Sequence, residues 1–68
     1  MKGTVKSYSA RHGYGFIVGD HNEIFFAHKF YFRYKDPQPG DKVTFDPVEH
    51  DKGMRAKNIR REKSWETK

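Results

Sequence analysis

The sequence predicts an all-β fold, a small five-stranded antiparallel barrel, on three observations. The chain has 68 residues, which suffices for one domain of the smallest size that folds unaided. Glycine, proline, asparagine and aspartate interrupt it every few residues, and this indicates short strands joined by turns. Between the turns, apolar and polar residues alternate with the period of two that is typical of strands.

Five segments carry this pattern, at residues 2–8, 14–19, 23–27, 42–47 and 55–60. The first two are separated by a turn that contains Gly13, and the third follows an Asn22 turn. Gly40 precedes the fourth strand and Gly53 precedes the fifth. We therefore expect a barrel over residues 1–60 and a mobile, basic tail over residues 61–68.

Alternation along each strand predicts which side chains fill the barrel. The fourth strand is unambiguous, because its apolar residues share one face and polar residues share the other. The second and third strands are apolar on both faces, so each leaves a choice. The predicted core consists of Val5, Ile17, Ile24, Phe26, Val43, Phe45 and Ile59, which leaves Tyr14, Phe16 and Phe25 outside.

Charge and aromatic content predict a polyanionic partner. The net charge is +5, and residues 1–19 contain Lys2, Lys6 and Arg11 but no acid. Such an asymmetry is typical of a surface that binds a polyanion, although ordinary solubilising charge is the alternative. Eleven residues are aromatic, and so small a core has no room for all of them.

Glycine alternates with aromatic residues in the segment from His12 to Ile17. This arrangement leaves flat rings clear of neighbouring side chains, so that unpaired bases can stack on Tyr14, Phe16 and Phe25. Lys6, Arg11 and His12 would surround the rings with positive charge for phosphates. Burial of the same rings in the core is the alternative interpretation.

Other classes of function find no support in the sequence. There is no cysteine, which excludes disulfides and thiolate zinc sites and favours a cytoplasmic setting. Neither a cleavable signal nor an apolar run of membrane-spanning length is present. The four histidines lack a metal-binding spacing, and no nucleophile motif occurs. We expect no enzyme activity, no cofactor, no metal, no membrane and no small-molecule substrate.

Five short motifs resemble the cold-shock domain family, in order and over nearly the whole chain. The opening Lys2-Gly3-Thr4-Val5-Lys6 is similar to the first strand of that family. His12-Gly13-Tyr14-Gly15-Phe16-Ile17 resembles its K-G-F-G-F-I motif, and Glu23-Ile24-Phe25-Phe26 resembles the start of D-V-F-V-H-F. Residues 40–45 resemble G-Q-x-V-x-F, and residues 52–59 resemble R-G-P-Q-A-x-N-V.

The resemblance implies a barrel of the oligonucleotide-binding class whose sheet face binds single-stranded RNA or DNA. Family roles map onto Tyr14, Phe16 and Phe25 for stacking, with Tyr8 and Tyr34 as flanking rings. Apart from the resemblance, His28 is a further candidate for stacking. Lys6, His12 and Lys52 match basic contacts of the family. The implied activity is that of an RNA chaperone or a regulator of transcription or translation. We expect a monomer, with a strand-exchanged dimer as the alternative.

Three departures from the family pattern predict weakened binding. Ser7 stands where the family has a tryptophan, Ala27 matches the histidine of the second motif, and His28 matches the phenylalanine after it. Trp65 in the tail is a candidate replacement, and the aromatic segment 29–35 is expected to close the barrel with one or two rings. The rest of that segment would extend the binding face or contact a protein, and a protein-interaction module that has lost nucleic-acid affinity is the alternative function.

Overall fold

The computed structural model describes residues 1–62. Its strands are β1 (Lys2–Ser9), β2 (Tyr14–Gly19), β3 (Ile24–His28), β4 (Lys42–His50) and β5 (Gly53–Arg61). A single 3₁₀ turn, Lys29–Tyr31, follows β3. The five predicted strands are confirmed, and β4 continues furthest past its predicted end because its hairpin with β5 pairs as far as His50 and Gly53.

The strands form a closed barrel in the order β1-β2-β3-β5-β4, which confirms the predicted all-β barrel. Four of the neighbouring pairs are antiparallel, whereas β3 and β5 are parallel. That parallel seam has one paired position in the strands, Phe26 opposite Arg55. A bridge between Phe32 and Ile59 continues it beyond the end of β3.

The core is built from one face of every strand. Five of the seven predicted core residues are buried as expected, namely Val5, Ile17, Val43, Phe45 and Ile59. Tyr31, Phe32 and Tyr34 pack against this core from the segment after β3. The sequence predicted that one or two rings of this segment close the barrel, whereas three of them pack against the core.

The predicted faces of β3 are wrong. Phe25 is 1% exposed and Ile24 is 47% exposed, the reverse of the expected arrangement, and Phe26 is only half-buried. The physical reason is the register of β3, because Phe25 lies opposite the buried Ile17. A shift of one residue exchanges the two faces of a strand, and because β3 is apolar on both faces, alternation alone does not choose between them.

Candidate nucleic-acid interface

The outward face of β1, β2 and β3 is a grid of three cross-strand rows. Residues directly opposite one another in antiparallel strands share a face, and the pairing gives the rows Thr4-Val18-Ile24, Ser7-Phe16-Phe26 and Ser9-Tyr14-His28. Aromatic side chains occupy the centre of this grid, flanked by two serines on β1. We call the three rings Tyr14, Phe16 and Phe26 the aromatic platform.

The platform rings contact one another and remain accessible. Tyr14 and Phe26 have ring centroids 5.5 Å apart at 33°, and Phe16 lies edge-on to Phe26 at 5.9 Å. These separations are those of favourable aromatic pairs. Tyr14 is 39% exposed and the two phenylalanines are half-buried. The cluster thus offers apolar ring surface to a planar ligand while its own contacts hold the rings in place.

Close approach of β1 to Gly15 positions the platform. A Cβ atom at Gly15 would collide with the carbonyl oxygen of Ser7 and with the Cα of Tyr8, so only glycine permits this approach. The β1–β2 register also shifts between Val5 and Ser7, which makes Lys6 the extra residue of a bulge. The bulge turns Ser7 outward, opposite Phe16, and leaves the Lys6 side chain exposed.

Two of the predicted basic residues lie beside the platform. The His12 ring is 5.9 Å from Tyr14, and its Nδ1 is 2.9 Å from the Ser9 hydroxyl. Lys6 is next to Ser7 on the exposed bulge. By contrast, Arg11 and Lys52 are exposed in turns, and neither has a contact with a platform ring among the described residues.

Phe26 takes the place on this face that the sequence assigned to Phe25. In the family motif D-V-F-V-H-F, phenylalanine and histidine are separated by one residue, as are Phe26 and His28. Both of these side chains point outward, whereas Ala27 is buried in the core. The assignment of Ala27 to the motif histidine is therefore wrong by one residue, and the motif's second phenylalanine corresponds to Lys29. This spacing was the signal in the sequence that identifies Phe26.

Cations on β5 were also missed by the sequence reasoning. The Arg55 guanidinium lies over the Phe26 ring at 5.0 Å, and the Lys57 ammonium lies over Tyr31 at 5.2 Å. Alternation around the buried Ala56 places both side chains outward. What the sequence did not reveal was that β5 runs beside β3, which brings these cations to the platform edge.

His28 continues the aromatic surface beyond the platform. Its Nδ1 accepts a hydrogen bond from the Phe30 backbone N–H at 3.2 Å, so Nε2 carries the proton in the neutral ring. The Phe30 ring lies 4.8 Å from His28 at 31° and is 73% exposed. The pair gives a second region of accessible ring surface next to Tyr14, which is the cross-strand partner of His28.

The two predicted flanking rings lie against the core rather than beside the platform. Tyr8 is opposite Gly15 on the inward side and packs edge-on to Phe32 at 5.2 Å. The Tyr34 hydroxyl donates a hydrogen bond to Asp41 Oδ2 at 3.1 Å. Burial raises the pKa of Tyr34 well above its ordinary value, and the neighbouring Asp41 carboxylate raises it further. A neutral Tyr34 hydroxyl is thus maintained at physiological pH.

Two further searches cover the described part of the chain. Residues 1–62 contain no group of three or more histidine, cysteine or acidic side chains placed to hold a metal ion. No helix within them has the length and apolar character needed to cross a membrane. Trp65, the predicted compensating ring, lies outside the described residues.

Comparisons with known proteins relate the whole of the described chain to one family. The family model of the 'Cold-shock' DNA-binding domain matches residues 1–62. A cold shock-like protein of Aquifex aeolicus is 48% identical over 64 residues, covering 88% of this chain and 91% of the relative. Y-box-binding protein 1 of Xenopus laevis is 38% identical over 65 residues, covering 84% of this chain but 22% of the relative.

Among solved structures, drosophila Unr CSD456 superimposes with a TM-score of 0.71. The match covers 98% of this chain and 28% of that one, at 18% sequence identity, and so speaks for the fold alone. The match to the family model and the identity to the Aquifex protein extend over nearly all the described residues. This protein therefore belongs to the cold-shock domain family.

Proposed function

We propose that this protein binds single-stranded nucleic acid, RNA or DNA, by stacking bases on the aromatic platform. The observation that carries the proposal is the separation of the two faces of the sheet. Ile17, Phe25 and Ala27 on the inward face supply the core, yet three rings cluster on the outward face at stacking distances. Bases of a duplex are already stacked on one another, so a single strand is the form that such rings recognise.

Phosphates of the bound strand would meet positive charge along both edges of the platform. Lys6 and His12 lie at the β1 and turn side, and Arg55 and Lys57 lie at the β5 side. Contacts of this kind release counterions, so binding should weaken steeply with added salt. Base preference should be modest because a ring face stacks on any base.

Membership of the cold-shock family supports this function, since its model is described as a DNA-binding domain. It does not favour the alternative of a protein-interaction module. The outward positions of Phe26 and His28 support assigning them the motif roles that the resemblance had given to Phe25 and Ala27, and on this assignment the loss of binding groups is smaller than the sequence indicated. We propose a non-catalytic role as an RNA chaperone or a regulator of transcription or translation, for a cytoplasmic monomer that needs no cofactor.

The test is fluorescence anisotropy with labelled oligothymidine, oligouridine and a matched duplex, titrated at two salt concentrations. We expect both single strands to bind more tightly than the duplex, with affinities that fall as salt rises. Equal affinity for the duplex would contradict stacking on the platform. Absence of binding to any single strand at low salt would contradict the function as a whole.

A further inference from the structure

A regular pairing of cations with rings runs along the seam between β3 and β5. Arg55 lies over Phe26 at 5.0 Å, Lys57 lies over Tyr31 at 5.2 Å, and Arg61 lies over Tyr34 at 4.9 Å. The cations come from β5, and the rings come from β3 and the segment that follows it in parallel. Because a strand rises about 3.3 Å per residue, the row extends for roughly 20 Å from the platform.

The far end of this row opens into a cleft of about 680 Å³, which we call the arginine cleft. Its lining consists of Arg33, Tyr34, Thr44, Arg60, Arg61 and Glu62. Arg33 is placed by its backbone N–H, which donates to the Ile59 carbonyl oxygen at 2.7 Å. Arg60 projects from β5 beside Thr44, its partner on β4. Three arginines from two separate segments thus line one concave surface.

A bulge in β5 directs these side chains. The β4–β5 register shifts between Thr44 and Asp46, and Asn58 adopts a positive φ of 54° within the shifted region. Asparagine tolerates this left-handed conformation better than most residues. The extra residue lets Ile59 point into the core while Arg60 points outward. Without the bulge, the alternation that places Lys57 outward would have placed Arg60 inward.

The charges in the cleft are unbalanced in favour of the cations. Its one acid, Glu62, pairs with Lys2 at 3.3 Å. Asp41 lies 3.9 Å from Arg61 and accepts hydrogen bonds from Tyr34 and from the Gln38 backbone. Within residues 1–62, the exposed guanidinium groups of Arg33 and Arg60 have no ion pair, hydrogen bond or ring contact. Planar guanidinium groups suit phosphate oxygens, which they contact in a bidentate manner.

We propose that a bound single strand leaves the aromatic platform along the β3–β5 seam and places its phosphates in the arginine cleft. The cleft is then a second anion subsite, used only by strands long enough to reach it. This inference rests on the proposed function, because the strand must first occupy the platform. Arg55, Lys57 and Arg60 are outward on β5 and lead from the platform to the cleft, which favours one strand over a separate partner for the cleft.

The test compares oligothymidines of about 4 and about 12 nucleotides, within the roughly 4–16 nucleotides that one barrel of this class occupies. The variant combines Arg33→Gln with Arg60→Gln, two exposed side chains whose replacement breaks no contact among the described residues. We expect it to bind the longer strand about tenfold more weakly at low salt. The slope of log affinity against log salt concentration should become shallower by about 1.4, because each of the two lost phosphate contacts accounts for about 0.7. Binding of the shorter strand should not change.

Three controls make the result specific. Lys35→Gln removes one exposed cation of the same segment that does not line the cleft, and it should leave the length dependence intact. Arg33→Lys with Arg60→Lys keeps the charge and should retain most of the salt slope. Phe26→Ala should weaken both lengths, because it acts on the platform.

The possible outcomes distinguish failure of the proposed second subsite from failure of the proposed function on which it rests. An unchanged affinity of the Gln variant for the longer strand overturns the second subsite and leaves the platform in place. Equal losses for both lengths also overturn it, because they indicate a general effect of charge. If the wild-type protein binds neither length, the proposed function itself fails and the second subsite fails with it.

Discussion

The opposite orientations of two adjacent phenylalanines, the buried Phe25 and the outward Phe26, give the sharpest test of the interface. Phe25 is 1% exposed and packs against Phe45 with ring centroids 4.8 Å apart, whereas Phe26 faces outward between Tyr14, Phe16 and Arg55. Phe26→Ala should therefore reduce affinity for single strands. Base stacking on an aromatic is worth roughly 1–3 kcal/mol, which corresponds to a loss of about 5- to 150-fold.

Phe25→Ala should act on stability instead. Truncation of a buried phenylalanine costs about 3–5 kcal/mol, and a domain of 68 residues has about 3–10 kcal/mol in total at roughly 0.05–0.15 kcal/mol per residue. This variant should lose a large fraction of its free energy of unfolding, so its urea midpoint should fall sharply. Phe26→Ala loses the Arg55 contact, worth about 0.5–1 kcal/mol at an exposed site, together with part of the buried area of one ring.

The assay pairs urea denaturation, followed by circular dichroism, with anisotropy on oligothymidine. Ile24→Ala is the matched control, because Ile24 shares the exposed face of β3 with Phe26 but has no ring; its affinity should not change. Phe26→Trp should retain binding, since an aromatic face remains. A folded Phe26→Ala variant with wild-type affinity would refute stacking at this position, and a folded but non-binding Phe25→Ala variant would refute the assigned register.

Three further substitutions test other parts of the argument. Ser7→Trp places a ring opposite Phe16 on the outward face and should tighten binding of oligothymidine, measured by anisotropy, by roughly 1–3 kcal/mol; an unchanged affinity would mean that the strand does not cross β1 at this row. Tyr34 has its pKa raised by burial and by Asp41, so the unfolded chain releases this proton first as pH rises above about 10. Stability should fall in that range, and Tyr34→Phe should make the fall in urea midpoint shallower than in the wild type. Asn58→Ala should lower the free energy of unfolding, measured by urea denaturation, by about 1–2 kcal/mol because the backbone is left-handed at this position. Asn58→Gly should lower it less. Equal losses in the two variants would locate the effect in the Asn58 side-chain contact with Asp46.

Local pattern predicted the strands from their alternation and turns, and it assigned the core face without ambiguity in β4. Val43 and Phe45 have polar neighbours on either side, so alternation alone assigns them to the interior. In β3, by contrast, Ile24, Phe25, Phe26 and Ala27 form an uninterrupted apolar run. The non-local pairing of Phe25 with Ile17 decides which of its faces is buried. Apolar–polar alternation does not contain that information, and only the Phe26-Ala27-His28 spacing shared with the family motif points to it.

The residues of the candidate site also divide into those that local sequence pattern predicts and those that only the tertiary structure reveals. Tyr14 and Phe16 were predicted from the glycines around them, and both lie on the outward face. The β5 cations were missed because their significance depends on which strand lies beside β5. Arg55 and Lys57 look like ordinary solvated charges in the sequence, and only the parallel seam brings them over Phe26 and Tyr31.

The seam also explains why stability and binding are linked at the platform edge. In the strands, β3 and β5 are paired only where Phe26 lies opposite Arg55, so the Arg55 contact with the Phe26 ring adds to the few backbone contacts that join this edge of the barrel. The same Arg55 guanidinium lies where a bound strand would bring phosphates. Its removal should therefore weaken the fold slightly and weaken binding as well, and affinity at one salt concentration does not separate these effects. The slope of affinity against salt does, because a folding defect lowers affinity without changing the number of phosphate contacts.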